Sequence, residues 1–390
     1  MHPSSDLVYL NHAATSYPKP AAVLQEIDLC LGAPPEDRRE GGRPDDSLAP
    51  CRAAIARLVG GSPERVILTP GGTHALNAAL RGLVLGRQRG RRAPVHCLTT
   101  DLEHNSVLRP LQHLAAEGSV ELEYLALEET RRPAWAPRRM RSDTLLLAIT
   151  ACSNVTGETP DLEAWGRVCA GAGVVLVVDA AQAAGSIELR LDRLPPRSLV
   201  ALSGHKGLLG PAGTGALCLG HGVRDEELPA VWAGGTATQA DLEWMPTELP
   251  LRLEPGTMNR PGFAGLSAGV SHVLARGVRT IARQKERLCA SIEHVLAGVP
   301  GALILEPERI NRAAGMVSFT IDGWNPDALV EVLQESYGIV TRGGLQCAPR
   351  LHHALGLPDG SVRVSVGLTT TEADVARLGE ALREVSRRAA

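Results

Sequence analysis

Val174-Val175-Leu176-Val177-Val178-Asp179-Ala180-Ala181-Gln182 is the stretch on which the fold turns. Its first five residues are apolar without alternation, so a strand formed here would bury both faces. Such strands belong to parallel sheets covered by helices on both sides. The run ends in an aspartate, and a carboxylate at the end of a wholly apolar strand is costly unless it meets a positive partner.

Working outward, the same pattern recurs. Residues 65–69, 95–99, 145–150 and 198–202 read as short buried strands, and helical periodicity occupies 21–31, 53–59 and 74–85. Residues 33–50 hold four prolines, Gly41-Gly42 and many charges, and read as a long loop. Alternation of buried strands with helices predicts a mostly parallel α/β sheet, whose functional groups gather outside the C-terminal strand ends. Thr73, His104, Asn154, Asp179 and Lys206 all fall at or just past such ends. That shared position says more than any one of them. A lone histidine at a sheet rim is ordinarily a cap, and a Gly71-Gly72-Thr73 turn alone is ordinarily a plain strand-to-helix turn.

Lysine usage sharpens the reading. Of 40 lysines and arginines only three are lysines: Lys19, Lys206 and Lys285. Lys206 sits in Ser203-Gly204-His205-Lys206-Gly207, past a buried strand and before Gly210, Gly213 and Gly215. A surface lysine beside a glycine turn is the plain alternative. The sharper one is an amine that must lose its proton, which arginine does not do.

Composition narrows the class. At 390 residues and 41.2 kDa the chain can bury a large core and form two or three domains. A net charge of −3 and a pI near 6.5 favour neither nucleic acid nor an anionic membrane. Eight cysteines without a C-x-x-C argue against a disulfide framework or zinc site and suit a reducing cytoplasm. No basic-then-apolar leader opens the sequence, and the apolar runs are far too short to span a bilayer. Neither H-x-H nor H-E-x-x-H spacing occurs, so no metal site is expected.

An amine and a carboxylate on neighbouring strand ends, beside a glycine turn opening a helix, are the groups a pyridoxal phosphate site needs. The amine takes the aldehyde, the carboxylate faces the ring nitrogen, and the helix start cradles the phosphate. Gln182 would reach the ring oxygen, and His104 would stack on the ring face.

The chain resembles the class V aminotransferases of fold-type I, and among them the group II cysteine desulfurases and selenocysteine lyases. The resemblance runs from Tyr9-Leu10-Asn11-His12-Ala13-Ala14-Thr15 to the final helix. It rests on Gly71-Gly72-Thr73, Glu103-His104-Asn105, Ser153-Asn154-Val155-Thr156-Gly157 and Asp179-Ala180-Ala181-Gln182. It rests also on Ser203-Gly204-His205-Lys206, Glu254-Pro255-Gly256-Thr257-Met258-Asn259 and Arg342-Gly343-Gly344-Leu345-Gln346-Cys347-Ala348-Pro349.

The resemblance implies a large cofactor domain over 15–258 with a mostly parallel sheet and helices on both faces. A smaller α+β domain would span 259–390, with 1–14 packed against it. Pyridoxal 5'-phosphate would be held by Lys206, Gly72, Thr73, His104, Asp179, Gln182, Ser203 and His205, joined by Thr257 from the other subunit of a homodimer. Asn154, Arg342 and Arg363 would receive the substrate carboxylate, Arg363 through its planar fork. Without the family, 361–366 would pass as an alternating surface strand.

Cys347 sets the expected reaction. It follows Gly343-Gly344 and precedes Pro349, a loop context that favours exposure, whereas most free cysteines are buried small apolar groups. By the resemblance Lys206 removes the α proton of L-cysteine and the Cys347 thiolate takes the sulfur, leaving a persulfide for a sulfur-acceptor protein and releasing alanine. The sequence departs from the family in having Gln346 where histidine is usual before that cysteine, Asn11-His12 for Asp-Asn, and His74 for a glutamate. A C–S lyase giving pyruvate, an epimerase or an aminotransferase on the same scaffold stands as the alternative. A non-catalytic scaffold would have no use for the Lys206, Asp179 and Gln182 set.

Overall fold

The structure, a computed structural model, describes residues 7–33, 46–88, 93–236, 239, 241–305 and 311–389. Among these the strands are β1 (Val8–Tyr9), β2 (Val66–Thr69), β3 (Val95–Thr100), β4 (Val120–Leu125), β5 (Thr144–Thr150) and β6 (Val175–Asp179). They continue as β7 (Ser198–Ser203), β8 (Gly215–Leu219), β9 (Ala302–Ile304), β10 (Met316–Ile321), β11 (Ile339–Val340) and β12 (Val362–Ser365).

Every residue of β6 is buried, as its unbroken apolar sequence requires. It lies mid-sheet in the order β2-β8-β7-β6-β5-β3-β4. Alternate residues feed two separate apolar cores. Leu176, Val178, Val200, Leu202, Leu147 and Ile149 face one, and Val175, Val177, Leu199, Ala201, Leu146 and Ala148 face the other. The first core is closed by Ile55, Trp165, Phe263 and Leu266 of the helices Ala49–Val59, Leu162–Ala172 and Arg260–Arg276. The second is closed by the helices Gly72–Gln88 and Asn105–Ala116. The mostly parallel, doubly covered sheet expected from the sequence is the one observed.

Several local expectations need correction. Within the seven-stranded sheet only β8 runs antiparallel, pairing with both β2 and β7, and it turns the glycine run after Lys206 into the close of a hairpin. Edge strand β4, with polar residues at Glu121 and Glu123, carries too weak an apolar pattern to stand out. The link from β6 to β7 is not helical; its one regular piece is the short 3-10 turn Leu191–Arg193. The second helix starts at Ala49 rather than near residue 53, because Pro50 is tolerated in a first turn. Most of the loop expected at 33–50 lies outside the described residues.

A second assembly is built from the antiparallel sheet β12-β10-β9 and the helices Val278–Ala297, Pro326–Tyr337 and Glu372–Ala389 around their own core. Strand β12 is buried throughout, so the surface-strand reading of 361–366 is wrong. Val8 and Leu10 belong to this core, because β1 pairs in parallel with β11 and Asn11 bridges to Ser365. No helix among the described residues is long and apolar enough to cross a membrane.

Candidate active site

The C-terminal ends of β2, β3, β5, β6 and β7 open onto a cavity of about 570 Å3. Twelve of the thirteen residues singled out from the sequence line it: Gly72, Thr73, His104, Asn154, Asp179, Gln182, Ser203, His205, Lys206, Arg342, Cys347 and Arg363. Thr257 does not. It is exposed, in the irregular segment before the helix Arg260–Arg276.

At one wall the helix Gly72–Gln88 begins directly on the cavity, so the N–H groups of its first turn are without intrahelical partners. Gly72 packs close to Ser203, and a Cβ on Gly215 would stand 2.6 Å from the Gly71 carbonyl carbon. Only glycine at 215 lets the turn close there. Thr73 Oγ1 lies 2.8 Å from Ser106 Oγ, which lies 2.9 Å from His104 Nδ1. Unpaired amides, hydroxyls and a helix N-terminus make this wall suited to a phosphate.

His104 caps the helix Asn105–Ala116, its Nδ1 accepting from the Ser106 N–H at 3.0 Å. That acceptance places the neutral ring's proton on Nε2. Burial, and then the charges of Lys206, Arg363 and Arg109, lower its pKa to about 4, so the ring is neutral at pH 7. His205 is likewise held at about 4 by burial and by Lys206 and Lys19. Its backbone carbonyl accepts from Ser16 N, Thr15 Oγ1, Ser16 Oγ and Lys19 Nζ, which pins the turn carrying Lys206.

Burial brings the Lys206 ammonium down to about 8, opposed by Asp179 and by Cys347 and reinforced by Arg363. Asp179 accepts from the Ala181 N–H at 2.9 Å through one oxygen, and burial raises its pKa against the pull of that bond and of Lys206. Gln182 donates to the Ala13 carbonyl at 3.0 Å, which holds its amide at the cavity edge. Behind this pair Glu103 is wholly buried. Its Oε1 accepts from Thr100 Oγ1 at 2.7 Å and Thr150 N at 2.9 Å, and burial raises its pKa to about 8.

Arg363 is 3% exposed, with no carboxylate on it. It donates to the Asn154 carbonyl at 2.6 Å and to Asn11 Oδ1 at 3.4 Å, and its Nε is buried without a partner. Burial, and then Arg342, lower its pKa to about 10, so it stays charged. Arg342 exchanges two backbone hydrogen bonds with Arg363 and reaches the same cavity. A buried fork that keeps its charge with no carboxylate on it is suited to receive an anion.

Cys347 is the one exposed cysteine of eight, and all eight are free. Gln346 and Cys347 are both left-handed, at φ +48 and +58, which costs a non-glycine residue about 1–2 kcal/mol each. Four bonds hold the strained pair. The Asn105 N–H donates to the Cys347 carbonyl at 2.8 Å, Asn154 Nδ2 to the Gln346 carbonyl at 2.8 Å, and Gln346 Nε2 to the Ser361 carbonyl at 2.9 Å. Gln346 Nε2 also reaches Ser361 Oγ at 3.1 Å, and His352 Nε2 lies 3.0 Å from that hydroxyl.

Ser106, Glu103, Ser361 and His352 support the site without having been singled out from the sequence, and so does Asn11, noted there only as a departure from the family. Glu103 stood in a quoted motif next to His104, a signal that was there to use. Ser361 and His352 meet Gln346 only through the fold.

A family model, Aminotransferase class-V, matches residues 8–378. The chain is 28% identical to a probable cysteine desulfurase of Methanothermobacter thermautotrophicus, over 98% of this chain and 95% of that one. It is 30% identical to a probable cysteine desulfurase of Aeropyrum pernix, over 85% and 82%. Among solved structures it is similar to the apo cysteine desulfurase of Thermococcus onnurineus NA1, with a TM-score of 0.87, 26% identity, and 98% and 95% of the chains covered.

Proposed function

This chain belongs to the class V aminotransferase family, and from that premise we propose that it is a pyridoxal phosphate-dependent cysteine desulfurase. It converts L-cysteine to L-alanine and leaves the sulfur as a persulfide on Cys347. One observation carries the reading: the only exposed cysteine lines the cavity that also holds Lys206, Asp179 and the unpaired Arg363.

The residues fit the cofactor by their chemistry. Lys206 has an amine poised near neutrality, Asp179 a carboxylate oxygen free for a ring N–H, and Gly72, Thr73, Ser203 and His205 surround the helix start where a phosphate would lie. Gln182 and neutral His104 would meet the ring, and the exposed Thr257 would serve the phosphate of the partner subunit in a homodimer. When bound, the cofactor supplies an electron sink for charge developing at the substrate's α carbon.

Arg363 binds the substrate carboxylate with Asn154 and Arg342 beside it, which fixes which α bond faces Lys206. Lys206, neutral in a substantial fraction near pH 8, takes the α proton. The Cys347 thiolate attacks the substrate sulfur: an S–S bond forms, the Cβ–S bond breaks, and its electron pair stays with the carbon. That carbon is protonated and leaves as alanine, and the persulfide passes to an acceptor protein in a reducing cytoplasm. We further propose a large unit over 15–258 and a small one over 259–390 with 1–14 joined to it, corrected in that the helix Arg260–Arg276 packs on the first core of the large unit through Phe263, Leu266 and Val270. The pairing of β1 with β11 supports that division.

The test is a product assay with L-cysteine and a reductant, quantifying alanine and pyruvate. Alanine lost in Cys347→Ala is the expected result. Pyruvate from both proteins would establish simple elimination instead.

A further inference from the structure

A second cavity, of about 240 Å3, shares only Lys206 with the first. All three lysines of the chain line it, with Arg276, His12 and His272, and no aspartate or glutamate does. The rest of its wall is largely apolar, including Tyr17, Leu209, Ile281 and Leu368.

Lys285 is the anomaly. It is 8% exposed on the inner side of the helix Val278–Ala297, and its ammonium has one partner, Ser186 Oγ at 2.6 Å. An ammonium has three donors, and burying one without a counter-charge is expensive. Lys19 is partly buried and bonded to two neutral acceptors, Ser16 Oγ at 2.7 Å and the His205 carbonyl at 2.9 Å. Burial lowers both amines to about 8, with no carboxylate acting on either. A purely structural hydrogen bond to a serine would not need a lysine, nor would it place two such amines at one cavity.

We propose that this cavity binds a small organic carboxylate, its charge on Lys19 and Lys285 with Arg276 at the mouth, and its apolar body against Tyr17, Leu209, Ile281 and Leu368. An inorganic oxyanion would leave the apolar wall unmatched. The site does not depend on the reaction proposed above, but an anion there stands beside Lys206.

Benzoate is the probe, titrated calorimetrically into the holoenzyme and into Lys285→Met, Arg276→Gln and Arg363→Lys. The expected result is a binding event weakened about tenfold or more by Lys285→Met, as loss of one charge-assisted contact implies. Arg276→Gln weakens it less, Arg363→Lys leaves it unchanged, and inorganic phosphate binds more weakly than benzoate. The charged and titratable groups facing the ligand are Lys19, Lys206, Lys285, Arg276, His12, His272 and Tyr17, with Asp374 acting on His12 from the helix Glu372–Ala389 and the buried thiols of Cys152 and Cys289 acting on Lys285. Because an anion favours the protonated amines, affinity falls as pH rises through about 8. Three results overturn the proposal: equal affinity in Lys285→Met and the parent, loss of binding in Arg363→Lys, or no binding. Should Lys285→Met fail to fold, an affinity unaffected by both Arg276→Gln and pH overturns it equally.

Discussion

Arg363 Nη1 donates to the backbone carbonyl of Asn154 at 2.6 Å, so the arginine is aimed by a neutral group and keeps its charge unspent. Its buried Nε has no partner at all. An ion pair here would have neutralised the fork; a carbonyl only orients it.

Arg363→Lys therefore loses bidentate recognition while keeping the charge. The expected outcome is a fall in kcat/KM for L-cysteine of about ten- to a hundredfold, the worth of one charged hydrogen bond. Steady-state alanine formation measures it. An unchanged kcat/KM would remove Arg363 from substrate binding.

Cys347→Ala should abolish alanine formation yet leave the absorbance of the bound cofactor intact. Because Cys347 is exposed, the thermal midpoint should move little, within about 0.5 kcal/mol of stability. Loss of cofactor in this variant would mean that the thiol has a structural task instead.

Gln346→Ala removes the donor that ties the left-handed pair to Ser361. Cys347 then samples other conformations, and kcat should drop by about tenfold with KM nearly unchanged, the mark of lost positioning. A matched rise in KM would place Gln346 in substrate binding.

Lys206 reacts with an aldehyde only when neutral. Cofactor uptake by the apo protein should accelerate as pH rises toward and through about 8, followed by visible absorbance. Asp179 raises this pKa, so Asp179→Asn should move the midpoint to lower pH, whatever it does to final occupancy. A midpoint near that of free lysine would show that Lys206 is not buried as described.

His12 is held at about 4, chiefly by burial, against about 6.5 in an unfolded chain. Between those values the unfolded chain binds the extra proton, so stability is full above pH 6.5 and is lost as pH falls toward 4. The thermal midpoint of the apo protein should fall across that window, less steeply in His12→Gln. A slope unaltered by His12→Gln would assign the loss to other groups.

How much of this was legible beforehand depends on how local the signal was. Buried strands announced themselves because 174–178 and 198–202 are apolar on both faces, and that placed Asp179 and Lys206 on adjacent strand ends. Strand β8 was not legible as the antiparallel member, since direction is decided by pairing across the sheet and not by its own residues. The site's donors could be read off as residue types. Their supports could not, because Gln346 meets Ser361 and His352 through loop closure, and Asn11 reaches Arg363 across 352 positions. Left-handed backbone at Gln346 and Cys347 was equally hidden, since neither residue type favours it.

The parallel pairing of Val8–Tyr9 with Ile339–Val340 also sets a timetable for biosynthesis. On the ribosome the earliest strand emerges long before its partner. It must wait, unpaired, while the seven-stranded sheet is translated and can form. Asn11 meets Arg363 only after the 352 positions separating them have been synthesised. The Arg363 side of the cavity is thus completed later in synthesis than the turn that carries Lys206.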